Sequence, residues 1–366
     1  MNPGTLLEHY GDSAALASGG LVIGILFGFF AQRSKFCLRA ATIEFWHGKV
    51  GDRLSVWLLA FSTAVVGVQL LRLTHLLDVD SARQIAARGS LSGALVGGLL
   101  FGAGMIMTRG CASRLLVLSA NGNLRALMSG LVFAVTAQAS LSGALASWRN
   151  TISAWWTIDG GQSRDLLAVT GAGNWGGLWF GLLWLAAALF VSLKSGWGFW
   201  KWMGGVGTGL MVAAGWGYTY FVSVNSLQLV QVQVQSLTFS GPSAEWLMRV
   251  LSAPAPVIGF DTGLLPGVFI GSFFGAWLGK NLRLEGFTDG YGMRRYISGA
   301  VLMGFGSMLA GGCAVGAGLT GGAIFALTAW VALISMWVGA GLTDKLLDRP
   351  LYGLDKASGR TAMTVP

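Results

Sequence analysis

The stretch "GAGMIMTRGCASR", residues 102–114, decides how this chain is read. A run of glycine and apolar residues, long enough with its upstream neighbours to enter a bilayer, ends at a cysteine flanked by Arg109 and Arg114. Cysteine is scarce, with three in 366 residues, so each position needs a reason. An apolar run that stops at a lone, arginine-flanked thiol points to a break inside a membrane helix rather than to an ordinary loop.

Composition surrounds that stretch with the same message. Hydrophobic residues make up 54% and charged residues 11%, and the mean hydropathy is +0.63. A soluble domain carries about 25% charge. A chain this poor in charge cannot coat a water-facing surface, and its apolar runs approach the roughly 20 residues of a bilayer crossing. The expected fold is an all-α polytopic membrane protein, one integral membrane domain over 1–366. Sixteen tryptophans suit interfacial belts. The N-terminal "MNPGTLLEHYGDSAALAS" lacks the basic region of a cleaved signal. The net charge of +9 does not argue for nucleic acid, because the Lys and Arg sit in short loops between apolar runs.

Nine spans are expected, near 14–32, 54–77, 90–108, 124–146, 175–193, 202–224, 263–279, 297–313 and 321–342, with short re-entrant helices between some of them. The loop "QRSKFCLRAATIEFWHGKVGDR" holds five Lys or Arg, and "GKNLRLEGFTDGYGMRR" holds four. Placing these basic loops inside gives an outside N-terminus, a cytoplasmic C-terminus and a cytoplasmic tail over 343–366. Segments 78–89, 147–174 and 225–262 carry mixed or sparse charge. Within the last, "VQVQVQS" alternates as a short strand or interfacial strip would.

Aligning the chain on its cysteines exposes a repeat. Gly102, Gly104 and Gly110 stand nine, seven and one residues before Cys111, and Gly304, Gly306 and Gly312 stand at the same offsets before Cys313. Cys37 shares only Gly28. A fourth copy, "GTGLMVAAGW", places Gly207, Gly209 and Gly215 before Trp216. Copies ending at Cys37, Cys111, Trp216 and Cys313 divide the chain into a first half, 14–146, and a second half, 175–342. The spans put the two halves in opposite orientations, the inverted repeat of many transporters, whose substrate sites lie near the midplane.

The thiols admit several readings. Free cysteine is often a small buried hydrophobe, but recurrence at one repeat position argues against packing alone. A structural metal site wants closely spaced Cys and His ligands, whereas these cysteines are isolated and His9, His47 and His75 recur at no repeat position. No metal or other cofactor is expected. A disulfide is disfavoured because Cys37 and Cys111 fall on the predicted cytoplasmic side.

Thiols lining a path for a soft, sulfur-containing anion fit better. A thiol is a weak, polarisable donor, and conduction needs sites that release what they capture. Helices restarting after Cys111 and Cys313 would turn their positive ends to the thiol. Lys35, Arg39, Arg109 and Arg114 would raise the local anion concentration. Glu44 is expected to pair with Lys49 or Arg39 rather than to relay protons. Two other readings stay open: a membrane-embedded thiol enzyme or redox sensor that forms a persulfide or disulfide, and a transporter of sulfite or a selenium species.

The residues also carry a family likeness. "GCASRLLVLSANGNLRALMSGLVFAVTA" resembles the YeeE/YedE signature, in which G-C-x-S-[RK]-x-L-V precedes G-N-L-[KR]. "FCLRAATIEFWHGKVGDRLSVWLLAFSTAVVGVQLL" is similar to the family's first cysteine region, and "GGCAVGAGLTGG" to its last. The resemblance spans roughly residues 20–342. It implies uptake of thiosulfate, or a related sulfur anion, across the bacterial inner membrane by a non-enzymatic, pseudo-symmetric helical bundle. Carried over by motif, Cys37, Cys111 and Cys313 would relay the ion, and Gly110 and Gly312 would allow close backbone approach. A small TusA-like cytoplasmic sulfur carrier would be a possible recipient. The chain departs from the family after Cys313, where "CAVGAG" replaces a Thr-Ser-Gly-His-like stretch.

Overall fold

Each of the nine expected spans falls on a helix of the computed structural model, which describes residues 3–194, 197–226, 232–251, 258–287 and 290–348. In chain order the helices are α1 (Pro3–Arg33), α2 (Leu38–Trp46), α3 (Asp52–Leu73), α4 (Arg83–Ala86), α5 (Leu91–Met107), α6 (Ala112–Ala120), α7 (Leu124–Ser142) and α8 (Ala146–Ala154). They continue with α9 (Leu166–Thr170), α10 (Gly173–Lys194), α11 (Phe199–Asn225), α12 (Ser240–Leu251), α13 (Phe260–Leu278), α14 (Gly290–Leu309) and α15 (Leu327–Thr343). A π-helical segment, Ala314–Gly321, separates α14 from α15, and Asp344–Asp348 extends α15 by one π turn. The only strands among the described residues are β1 (Gly89–Ser90) and β2 (Thr157–Ile158), paired antiparallel with Gly89 opposite Ile158.

Length explains why these helices cross. At 1.5 Å per residue, the 22 residues of α3 reach about 33 Å, close to the roughly 30 Å of a hydrocarbon core. Among the described residues, seven helical stretches are long and apolar enough to span. Helices α11 and α13, of 27 and 19 residues, have the length but a lower hydropathy. Both are rich in glycine, and α11 packs on α3 and α1 while α13 packs on α1. Exposed Trp148, Trp155, Trp156, Trp175 and Trp179 cluster around α8 and the start of α10, as an interfacial belt would.

Small residues set the packing, since lipid tails supply no hydrophobic drive for helix association and close backbone approach must do the work. Helix α1 packs along α13, and α3 along α11 and α10. Helix α5 lies between α14 and α15, and α7 packs on α14. The α1–α13 seam is the tightest. A Cβ on Gly20, Gly24 or Gly28 would strike the backbone of Phe260, Leu264 or Val268, and one on Gly263, Gly267 or Gly271 would strike that of Ala17, Leu21 or Ile25.

Two stretches singled out in the sequence take their form here. The fourth glycine copy makes no break: α11 runs unbroken through Gly207, Gly209, Gly215 and Trp216. Those glycines serve close packing instead, Gly209 against Ala60 and Thr63 of α3 and Gly215 against Ser236. The "VQVQVQS" stretch forms no sheet among its described residues, of which Val234 alone makes a bridge, to Ala82. Val230 and Gln231 lie outside the described residues. The segment from Val234 to Phe239 is instead extended and mostly buried, held where Ser236 Oγ donates to the Val212 carbonyl and Thr320 Oγ1 to the Leu237 carbonyl. Of the expected tail over 343–366, residues 349–366 lie outside the described residues.

Candidate functional site

One backbone device recurs at all three cysteines. A helix ends, one residue turns left-handed, and two residues later a cysteine caps a short helix. The left-handed residues are Lys35 (φ 54°), Arg109 (φ 56°) and Gly311 (φ 75°). The N–H after each reaches back five residues: Phe36 to the Ala31 carbonyl at 3.0 Å, Gly110 to Met105 at 3.2 Å, and Gly312 to Ser307 at 2.9 Å. These bonds close Schellman turns, which satisfy carbonyls that a helix end leaves bare. Cys37, Cys111 and Cys313 then stand at the N-cap positions of α2, α6 and the π-helical segment. Each thiol therefore sits at the positive end of a helix, among N–H groups with no intrahelical partner. The Gly316 N–H donates to Cys313 Sγ at 3.5 Å, and Ser113 Oγ lies 3.4 Å from Cys111 Sγ.

All three thiols are buried and free. Cys37 and Cys111 are near enough for each to affect the other's ionisation. They lie toward the end of the bundle where α15 terminates at Asp348. Cys313 lies toward the other end, where its π-helical segment meets Gln84 just after Arg83, the first residue of α4. The thiols thus form a pair and a single, not one cluster of three.

The predicted cations divide too. Lys35 and Arg109 are exposed, whereas Arg39 is largely buried beside Asp348 at 3.7 Å. Arg114 reaches the Gln32 amide oxygen at 3.3 Å. Gly110 and Gly312 are both buried. A Cβ at Gly312 would come 2.9 Å from the Ala317 nitrogen, while one at Gly110 would meet only side chains, the Leu115 methyl at 3.3 Å and the Arg114 stem at 3.7 Å. Close backbone approach is therefore demanded at Gly312 and merely permitted at Gly110.

Several participants escaped the sequence reading. Asp348 accepts from Arg295 at 2.5 Å and so gathers Arg295 and Arg39 beside the thiol pair. Nothing in the sequence joins positions 39, 295 and 348, whose meeting depends on where α15 ends. On the Cys313 side, Thr238 sets a hydroxyl against the π-helical segment, so near Gly316 that a Cβ there would lie 2.5 Å from Thr238 Oγ1, while Thr320, inside the segment, donates to the Leu237 carbonyl. A hydroxyl absent from "CAVGAG" is thus supplied from another segment by Thr238. Among the described residues, Glu44 makes no ion pair with Lys49 or Arg39. Its Oε2 accepts from the Leu54 N–H at 2.8 Å and so satisfies a bare donor at the start of α3. No group of three or more His, Cys, Asp or Glu suited to a metal occurs among the described residues.

The fold and these turns define a multi-pass α-helical membrane protein whose helix breaks present buried thiols beneath clustered arginines. The sulphur-transport family matches residues 33–342, and the chain belongs to that family, the YeeE/YedE group, which is one of transporters and not of enzymes. The chain is 24% identical over 345 residues to the thiosulfate transporter TsuA of Escherichia coli (strain K12), with 87% of this chain and 91% of that protein covered. It is 25% identical over 335 residues to the thiosulfate transporter TsuA of Spirochaeta thermophila, with 87% and 96% covered.

Proposed function

We propose that the protein takes up thiosulfate, or a closely related sulfur anion, across the bacterial inner membrane by relaying it past Cys313, Cys111 and Cys37. The observation that carries this reading is the shared device: three buried free thiols, each at the N-cap of a short helix. An anion there meets a weak thiol donor and backbone N–H groups together, and neither binds so tightly as to hold it. Lys35, Arg39 and Arg109 concentrate the anion near the thiol pair, and Gly110 and Gly312 keep the approach free of side chains. The names of the two relatives support the cargo.

The inverted repeat belongs to the same proposal, with halves 14–146 and 175–342. Its support is a mirrored set of contacts. The α1–α13 packing has its counterpart in α11–α3, and α5–α15 in α14–α7, while α1–α11 and α5–α14 pair across the axis. With the N-terminus outside and the tail from 343 cytoplasmic, Cys313 meets the anion first and the thiol pair last. A TusA-like carrier at the cytoplasmic end would receive it.

The test is growth of a sulfur-uptake-deficient bacterium on thiosulfate as sole sulfur source. Wild type should restore growth, and Cys111→Ala at equal membrane expression should not. Restoration by the Cys37→Ala, Cys111→Ala and Cys313→Ala variants alike would sink the relay. A second reading is favoured by the nearness of Cys37 to Cys111: a covalent persulfide or disulfide on that pair. Intact-mass spectrometry after turnover separates the two, because a pure relay leaves every thiol unmodified.

A further inference from the structure

Three helices meet at one rim on the thiol-pair side of the bundle: α1 ends at Arg33, α13 ends at Leu278 and α11 begins at Phe199. Arg33 stands two residues before Lys35, the left-handed residue of the Cys37 turn. Its guanidinium stacks over the Trp200 ring, 4.0 Å from the centroid. Among the described residues that guanidinium makes no ion pair and no hydrogen bond, and its Nε is buried without a partner. Burying part of a charged group in that way is costly unless something else takes its N–H groups.

The packing leaves a place for an acceptor. Arg33 Nη1 and Asn281 Nδ2 each lie 2.7 Å from the position a Gly279 Cβ would take, so donors from two segments converge on one point that glycine keeps open. Neither donor is needed to finish α13. The N–H groups of Gly279, Lys280 and Asn281 already return to the Gly275, Trp277 and Ala276 carbonyls at 3.1, 3.0 and 2.9 Å. Asp52 is taken as well, since its carboxylate accepts from Lys201 Nζ and Trp197 Nε1. Stacking on Trp200 covers a face of the guanidinium and leaves its N–H edge free, the edge that suits phosphate oxygens. Lys280 adds an exposed positive charge beside the pair. Around the donors the surface is apolar, with Phe199, Trp200, Trp277 and Leu278 at 69%, 41%, 59% and 62% exposure.

We propose that the ends of α1, α11 and α13 bind the phosphate of an anionic phospholipid, with Arg33 and Asn281 donating to its oxygens and Lys280 meeting its charge. Basic pockets between transmembrane helices suit such headgroups, and aromatic side chains sit at the same level of the bilayer. Free phosphate in water would satisfy the same donors but leave the apolar wall unused, whereas a lipid uses both. The site stands apart from the transport reading. When occupied, it ties the last turn of α1, from which the Cys37 turn departs, to the end of α13.

The test is native mass spectrometry of the full-length protein, taken from bilayers holding phosphatidylglycerol and phosphatidylcholine in equal amounts. Wild type should retain phosphatidylglycerol preferentially. Arg33→Gln should weaken that retention roughly tenfold, the scale of a lost charged hydrogen bond. Gly279→Ala keeps every donor but sets a methyl between them, so it should weaken retention too, and it decides the matter if Arg33→Gln does not fold. Arg88→Gln, which removes an exposed arginine at the Cys313 end, should leave retention unchanged. Excess inorganic phosphate should not displace the lipid, because it cannot replace the apolar contacts. Displacement by phosphate would assign the donors to a soluble anion and overturn the proposal. Equal retention of both lipids by wild type, wild-type retention in both Arg33→Gln and Gly279→Ala, or an equal loss in Arg88→Gln would overturn it as well.

Discussion

The turns at Cys111 and Cys313 share one backbone and differ in where their charge comes from. At Cys111 the left-handed residue is Arg109, and at Cys37 it is Lys35, so a cation is built into the turn itself. At Cys313 the same position is Gly311, and arginines reach its surroundings from distant connections at 83, 88 and 164. A left-handed backbone disfavours any residue with a Cβ by about 1–2 kcal/mol, and Gly311 avoids that penalty. The chain accepts it twice around the thiol pair and avoids it at the single thiol. The strain thus sits where charge is wanted inside the turn, and a neutral turn serves where charge comes from a cavity wall.

The largest effects should come from the thiols. Removing a buried hydrogen-bonding partner costs about 1–3 kcal/mol, or roughly 5- to 150-fold in rate. Cys111→Ala and Cys313→Ala should each reduce thiosulfate uptake by that factor while folded protein persists in the membrane. Cys→Ser should recover part of it at either site, because the hydroxyl still donates. If only the Cys37–Cys111 pair responds to alanine, the single thiol is structural and the two turns are not functional equivalents.

Next in size is the ion cluster beside the pair. Asp348→Asn leaves Arg39 and Arg295 without their shared carboxylate, at side-chain exposures of 17% and 9%. A loss of about 2–3 kcal/mol follows, below the 3–5 of a fully buried pair, and it should appear as a lower unfolding temperature in detergent. An Arg83→Gln variant, across the bundle, should leave that temperature unchanged.

The smallest effects test the turns directly and should have opposite signs. Gly311→Ala should destabilise the protein by about 1–2 kcal/mol. Arg109→Gly relieves the same strain and should raise stability by up to about 1 kcal/mol, while slowing uptake most at low ionic strength, where long-range attraction is least screened. Equal signs in denaturation of the two variants would mean that the backbones are not interchangeable.

The contrast also marks what a sequence can carry. Spans are readable because hydropathy is a local property, and the helix breaks are readable at Cys111 and Cys313 because glycine and cysteine stand together there. The same glycine spacing carries no break at Trp216, where Gly207, Gly209 and Gly215 serve helix packing, since packing uses the same residue as breaking. A cavity of about 240 Å3 beside Gly311, lined by three arginines, had no local signature. Arg83 and Arg88 belong to one connection and Arg164 to another, each reading as sparse mixed charge until the β1–β2 pairing brings them together. Asp348 was hidden similarly, since an acid at the end of the last helix gives no hint of the arginine it meets.

The glycine seam between α1 and α13 has a mechanical meaning. Where backbone lies against backbone, no side chain can change rotamer to let one helix slide, so the two move as a single strut. Large rocking of one half against the other would have to pull this zipper apart. On the proposed relay, passage of an ion would then rest on small displacements at the three thiol turns, latches in a fixed frame.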